Sequence, residues 1–242
     1  MFERIYGWRS KIGLLVPSVN TTIEADFWKL APHGVSIHVA RLKTERLMTF
    51  DALREMEKSS ESAAEQVADA EVDVIAYGCT SGSFLAGHKW NKQITNKMKR
   101  KTGIPSITTT GAMIRSLEEK KLKKISVVTP YVSQTNEQLR KYLTEGGIEV
   151  LDLQAFEILD GFDHAAITPW QVFDLVKKAD KPGSEGIFIA CTQVRAIPVL
   201  DVLEQDLGKP VISANQATLW LALKTVGFGG KIENYGSLLL SF

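Results

Sequence analysis

The chain has 242 residues, of which 44% are hydrophobic and 24% charged, ordinary proportions for a globular protein with one large core or two smaller ones. Its 29 Lys and Arg stand against 28 Asp and Glu, so the basic surplus that nucleic-acid binding draws on is missing. No run approaches the ~20 apolar residues of a membrane helix, and Met1 to Arg9 lack the apolar core and cleavage site of a secretory leader; the expectation is a cytoplasmic protein, without membrane contact, whose two cysteines are free thiols.

Short apolar runs rich in Val and Ile occupy residues 12–16, 35–40, 72–77, 106–108, 124–128, 148–153, 186–190 and 211–213. Near-continuous apolar runs of this length suit strands buried on both faces of a parallel sheet. Amphipathic segments separate them. Residues 51–71 gather Ala52, Met56, Ala63, Ala64, Val67 and Ala68 on one side and read as a single helix. The positive run Lys97, Lys99, Arg100 and Lys101 reads as a solvated helix face. A last helical pattern over 216–226 follows the eighth run and is expected to pack back on the first half of the molecule.

The order of these runs occurs twice. Ile12-Gly-Leu-Leu-Val-Pro17 is echoed by Ile125-Ser-Val-Val-Thr-Pro130, and Ile75-Ala-Tyr-Gly-Cys79-Thr80 by Phe188-Ile-Ala-Cys191-Thr192. Ile104-Pro105 is echoed in turn by Lys209-Pro210. Ordered matches at a near-constant spacing indicate a duplication. The expected fold is α/β, with two duplicated four-stranded parallel-sheet halves related by pseudo-two-fold symmetry. Residues 1–118 form the first half, 119–215 the second, and 216–242 the returning helix and tail, with the boundary in the charged stretch 118–123.

Open parallel sheets bind ligands beyond the carboxyl ends of their strands. That rule selects the loops 17–22, 78–83, 130–136 and 191–195. Cys79 leads Gly78-Cys79-Thr80-Ser81-Gly82-Ser83, a turn of small residues entering a helix. Backbone N–H groups at such a turn favour anions and lower a thiol's pKa. Singly, Cys79 or Cys191 reads as a small buried hydrophobe; as a repeated pair at strand ends they read as functional thiols. Asn20 either donates to a carboxylate or caps a helix. Tyr131 offers a hydroxyl to a substrate oxygen or simply packs. Thr80, Ser81 and Thr192 are donors to a ligand or helix caps. His164, in Asp160-Gly161-Phe162-Asp163-His164, reads as an exposed loop residue, or more sharply as a proton donor or carboxylate contact. His33, His38 and His88 show no metal-ligand spacing. No Gly-x-Gly-x-x-Gly or Walker-type motif follows a first strand, and Thr80 stands where a serine hydrolase elbow would carry its nucleophile.

The loop Pro17-Ser-Val-Asn20-Thr-Thr, the pair Cys79-Thr80, Thr129-Pro130-Tyr131 and the pair Cys191-Thr192 together resemble the aspartate/glutamate racemase superfamily, and within it the branch of maleate cis-trans isomerases and arylmalonate decarboxylases. The resemblance covers nearly the whole chain. It implies chemistry without a cofactor, on a small carboxylate substrate, in a protein that is usually a homodimer. The first cysteine, here Cys79, would attack the alkene as a thiolate; the succinyl adduct would rotate and eliminate as fumarate. Cys191 would serve as acid/base or help position the reacting carbon, and Asn20 and Tyr131 would hold carboxylates, helped by backbone amides around Thr80, Ser81 and Thr192. Asp163-His164 stands where the branch is expected to carry Asp-Asn, and Thr80-Ser81-Gly82-Ser83 is more polar than is usual there. The alternatives are an amino-acid or hydantoin racemase working by two-cysteine proton transfer, an arylmalonate decarboxylase-like lyase, and a small-acid binding protein without chemistry. Arylmalonate decarboxylases keep a single cysteine, in the second half, which sets Cys79 apart from them.

Overall fold

The computed structural model describes residues 6–242; residues 1–5 of the amino-terminal stretch read above lie outside it. In the first half, β1 (Ser10–Pro17), β2 (Val35–Leu42), β3 (Val74–Tyr77) and β4 (Ser106–Thr108) form an all-parallel sheet in the order β2-β1-β3-β4. The second half repeats it with β5 (Lys124–Thr129), β6 (Glu149–Ala155), β7 (Gly186–Ile189) and β8 (Val211–Ser213), in the order β6-β5-β7-β8. The duplicated α/β architecture read from the sequence is the architecture found. Central strands β3 and β7 are buried at every position, whereas the edge strand β6 is half-buried along its length. That contrast is what continuous against mixed apolar runs encode.

The helices of the first half are α1 (Ile23–Leu30), α2 (Phe50–Lys58), α3 (Ser60–Ala68), α4 (Thr80–Phe84), α5 (Gly87–Thr102) and α6 (Thr109–Glu119). Those that follow are α7 (Ser133–Glu145), α8 (Pro169–Ala179), α9 (Leu200–Leu207) and α10 (Ala214–Thr225). The single helix expected over 51–71 is two, broken at Ser59. The Ser59 hydroxyl donates to the Met56 carbonyl at 2.8 Å and the Ser62 hydroxyl to the Ser59 carbonyl at 3.1 Å. Local serine-to-backbone bonds of this kind compete with the helical ladder. The positive run lies on α5, where Lys97 reaches the buried Glu57 at 3.0 Å and Lys101 reaches Glu65 at 3.1 Å. From the second half, α10 crosses to pack against α6, and the Thr218 hydroxyl donates to the Thr109 hydroxyl at 3.1 Å.

In each sheet the chain runs outward from its first strand in both directions, so the switch of direction falls between β1 and β3, and between β5 and β7. Crevices at such switch points are where ligands settle. Parallel register brings the ends of β1 and β3 level: the Gly78 N–H donates to the Leu15 carbonyl at 2.8 Å, and in the second half Ala190 donates to Val128 at 2.8 Å. A side chain on Gly78 would lie 2.9 Å from the Leu15 carbonyl oxygen, so the residue before Cys79 is held to glycine by close approach. No helix among the described residues is long and apolar enough to cross a membrane.

Candidate active site

The four loops meet. Asn20, Cys79, Thr80, Ser81, Tyr131, His164, Cys191 and Thr192 all line one cavity between the halves. Pro17, Val19, Met48, Gly161 and Gln193 complete its wall. Its free volume is about 30 Å³, room for one or two waters and too little for a dicarboxylate. The roof comes from both halves. The Gly161 N–H donates to the Arg46 carbonyl at 2.7 Å, Leu47 and Asp160 form an antiparallel bridge, and Arg46 pairs with Asp160 at 2.7 Å.

Cys79 sits at the N-cap of α4 in extended conformation, and its sulfur accepts the Gly82 N–H at 3.3 Å. The Ser81 hydroxyl lies 3.8 Å from the same sulfur. Helix entry therefore orients the thiol as expected, but the expected depression of its pKa is not found. Burial pushes Cys79 up to about 11, outweighing the Gly82 and Ser81 contacts that favour the thiolate. A helix of one and a half turns has little dipole to offer against complete desolvation. Cys191 is pushed further, to about 12, again by burial, with the Gln193 N–H at 3.4 Å opposing. Its backbone has a φ of +86°, a region that costs a non-glycine residue of order 1–3 kcal/mol and that persists where the surroundings over-determine it.

His164 is buried, with 3% of its surface exposed, which overturns the exposed-loop reading. Its Nε2 stands 2.9 Å from the Ile158 carbonyl and its Nδ1 3.7 Å from the Cys191 sulfur. Burial lowers its pKa below the usual imidazole range, against the Ile158 bond and the charges of Asp160 and Asp163. The Tyr131 ring meets the His164 and Phe84 rings edge to face, at centroid distances of 6.0 and 6.2 Å. The Tyr131 hydroxyl lies beside the Cys191 sulfur and the Thr80 hydroxyl without hydrogen-bond geometry to either, and burial holds its pKa well above the phenolic range. The hydroxyls of Tyr131 and Thr80 are thus buried at the cavity with no partner. Groups so placed in a native site await a ligand or water.

Asn20 does two things. Its Oδ1 accepts the N–H groups of Thr22 and Ile23 at 2.9 and 3.0 Å, capping α1, while its Nδ2 donates across the cleft to the Thr192 hydroxyl at 3.0 Å. Thr192 passes its own hydroxyl proton to the Gly78 carbonyl at 3.2 Å. Gln193, not singled out from the sequence, joins the halves more firmly. Its Oε1 accepts from the Thr21 N–H at 2.8 Å, its Nε2 donates to the Val19 carbonyl at 2.9 Å, and its carbonyl accepts from the Thr22 hydroxyl at 3.0 Å. Met48 and Gly161 were missed as well, since their contact joins loops far apart in the chain; a side chain on Gly161 would lie 2.4 Å from Met48 Cγ. Among the described residues, no group of three His, Cys, Asp or Glu is arranged to hold a metal ion.

Two thiols on equivalent loops of a duplicated fold face one cavity, and the sequence as a whole points to a family. The arylmalonate decarboxylase family model matches residues 12–239. The chain belongs to that family. Among its relatives, maleate isomerase of Pseudomonas putida is 29% identical over 95% of this chain and 96% of its own length. The maleate isomerase of Geobacillus stearothermophilus is 28% identical with the same coverage. The crystal structure of a variant of the maleate isomerase Iso from Pseudomonas putida S16, solved with maleate, superposes with a TM-score of 0.92 at 28% identity, covering 96% of this chain and 98% of that one.

Proposed function

We propose that the protein is a cofactor-independent cis-trans isomerase of a small dicarboxylate, of the maleate-to-fumarate type. The observation that carries the proposal is the pair Cys79 and Cys191 facing one cavity beside two unpartnered hydroxyls; the full-length likeness to maleate isomerases supports it. The Cys79 thiolate adds to one alkene carbon, and the π pair moves onto the other carbon and its carboxylate. The former double bond is now single and rotates. Breaking the S–C bond with return of the pair releases fumarate. Cys191 supplies a proton to the carbanionic carbon and takes it back. The hydroxyls of Tyr131 and Thr80 donate to the carboxylate on which charge develops, and Asn20, Ser81 and Thr192 hold the second carboxylate. The roof of Met48 and Gly161 opens to admit substrate and closes to exclude water.

The proposed enzyme is cytoplasmic, binds neither nucleic acid nor membrane, and is a homodimer. Near-balanced charge supports the exclusion of nucleic acid, and exposed apolar side chains such as Trp170, at 71% exposure, supply surface for a dimer to bury.

The test is a proton NMR time course with maleate in deuterated buffer. Fumarate formed by the wild type and absent with Cys79→Ser is the expected result. Unchanged maleate overturns the substrate. Solvent deuterium incorporated at the α-carbon of an amino acid offered in the same buffer would instead support two-cysteine proton transfer.

A further inference from the structure

Both thiols are neutral in the closed site, yet the proposed reaction needs Cys79 as a thiolate. Its proton must go somewhere. No base stands at Cys79: the sulfur's hydrogen-bonding neighbours are the Gly82 N–H, which donates to it, and the neutral Ser81 hydroxyl. The second half differs. Its cysteine faces an imidazole whose tautomer is settled by chemistry, because the Ile158 carbonyl can only accept and Nε2 therefore carries the hydrogen. In the neutral ring Nδ1 is then a lone pair, and it points at Cys191 from 3.7 Å.

We propose that His164 is the proton acceptor of the Cys191 thiol and the place where the site stores the proton that Cys79 gives up. The inference rests on the isomerase reading for its kinetic consequences, but not for the Cys191–His164 pairing itself. Proton balance is closed within the cavity. In the resting site both thiols are protonated and His164 is neutral. On activation the Cys191 S–H bond breaks as Nδ1–H forms, and Cys191 receives the proton of Cys79. The result is a Cys79 thiolate, a Cys191 thiol and a His164 imidazolium, with no change in net charge. After addition to the alkene, Cys191 protonates the carbanionic carbon and becomes a thiolate facing the imidazolium, an ion pair in place of an isolated buried anion. Elimination returns the proton to Cys191. His164 acts through Cys191 and is a positioning residue for its proton.

The charged and titratable groups around His164 fit this use. The charges of Asp160 and Asp163, from its own loop, favour the imidazolium. Arg46, from the loop after β2, is engaged with those carboxylates at 2.7 and 3.7 Å. Arg195, following β7, is occupied by the carbonyls of Ile167 and Ala166 at 3.1 and 3.2 Å. Tyr131 flanks the ring as a neutral phenol, and Cys191 is the thiol in contact.

The decisive variant is His164→Gln, with His164→Leu as a second in case the first perturbs folding, checked by thermal unfolding. In the Cys79→Ser background Cys191 is the sole thiol, and its alkylation by iodoacetamide between pH 6 and 8 is expected to slow at least about tenfold when His164 is replaced. Equal alkylation rates with and without His164 in folded protein would overturn the pairing, whether or not maleate is a substrate. With maleate, His164→Gln is expected to lower kcat about 10²-fold or more with little change in KM. The pH profile should change shape as well. Wild type loses activity as pH falls below the usual His range near 6.5, because a protonated ring accepts nothing. The variant lacks that limb and instead gains activity steadily as pH rises toward the thiol values. A variant profile parallel to wild type would contradict the storage role. Absent turnover with His164-dependent alkylation would remove the isomerase reading and leave the pairing standing.

Discussion

The two halves share strand order, register and a cysteine at the end of the third strand, and differ in what surrounds the sulfur. In the first half Cys79 is held by helix geometry: an extended N-cap, the Gly82 N–H on its sulfur, and a glycine that lets Tyr77, Met56 and Cys79 close in. In the second half Cys191 is held by a backbone at positive φ and by an imidazole. One duplicated frame thus supplies a thiol with hydrogen-bond donors and a thiol with a base. The division suits a reaction that needs a nucleophile on one side of the substrate and a proton carrier on the other. It also shows that the frame sets position while the loops set chemistry.

The largest effects should come from erasing either thiol. Cys79→Ser and Cys191→Ser are each expected to lower kcat at least about 10³-fold, and the double variant little further, since the two act as a unit; steady-state rates on maleate check this. Gly82→Ala attacks the first half alone. Its new methyl would lie 3.1 Å from the Cys79 sulfur and 3.0 Å from both the Tyr77 hydroxyl and Met56 Cε. A roughly tenfold loss of kcat and about 1–2 kcal/mol of stability are expected from such crowding, read by turnover and denaturant titration. Tyr131→Phe removes a hydroxyl that has no partner in the free protein. The kcat should fall about tenfold while the unfolding temperature holds or increases, because a transition-state donor is removed but no native hydrogen bond is lost.

The smallest effect concerns the seam between the halves, where Asn215 donates to Asp26 at 2.7 Å and to the Thr192 carbonyl at 3.1 Å. Burial raises Asp26 from 3.8 to about 6, opposed by Asn215 and Lys29. Between these values the folded chain holds a proton that the unfolded chain has released, so stability falls as pH rises through that window. Asp26→Asn should flatten this dependence and add on the order of 1–2 kcal/mol at pH 7, measured by urea unfolding at pH 4, 6 and 7.

Much of this was legible in the sequence because duplication repeats its signals. Pro17 and Pro130, then Cys79 and Cys191, reveal the two halves, and apolar runs buried on both faces reveal the parallel strands. The eight residues singled out all reach the cavity. What escaped depends on contacts across the chain. Gln193 binds Val19 and Thr21, and Met48 meets Gly161, through space that no local pattern encodes. The break at Ser59 turns on a side-chain bond competing with a helix whose apolar period continues through it. The direction of the thiol pKa shifts escaped for a related reason: a turn at a helix N-terminus is visible locally, whereas complete burial of the sulfur is a property of the closed cleft.

The most direct test of the central claim, that Cys79 is the nucleophile and Cys191 the proton carrier, is intact-mass and peptide mapping of Cys191→Ser after exposure to maleate. Without Cys191 the Cys79 proton is lost slowly to water and water protonates the carbanionic carbon; the succinyl adduct then lacks the base that removes that proton, so it should accumulate. A gain of one maleate on Cys79, absent from Cys79→Ser, is the expected result. An adduct on Cys191 in the Cys79→Ser protein would contradict the assignment, as would full turnover by Cys191→Ser.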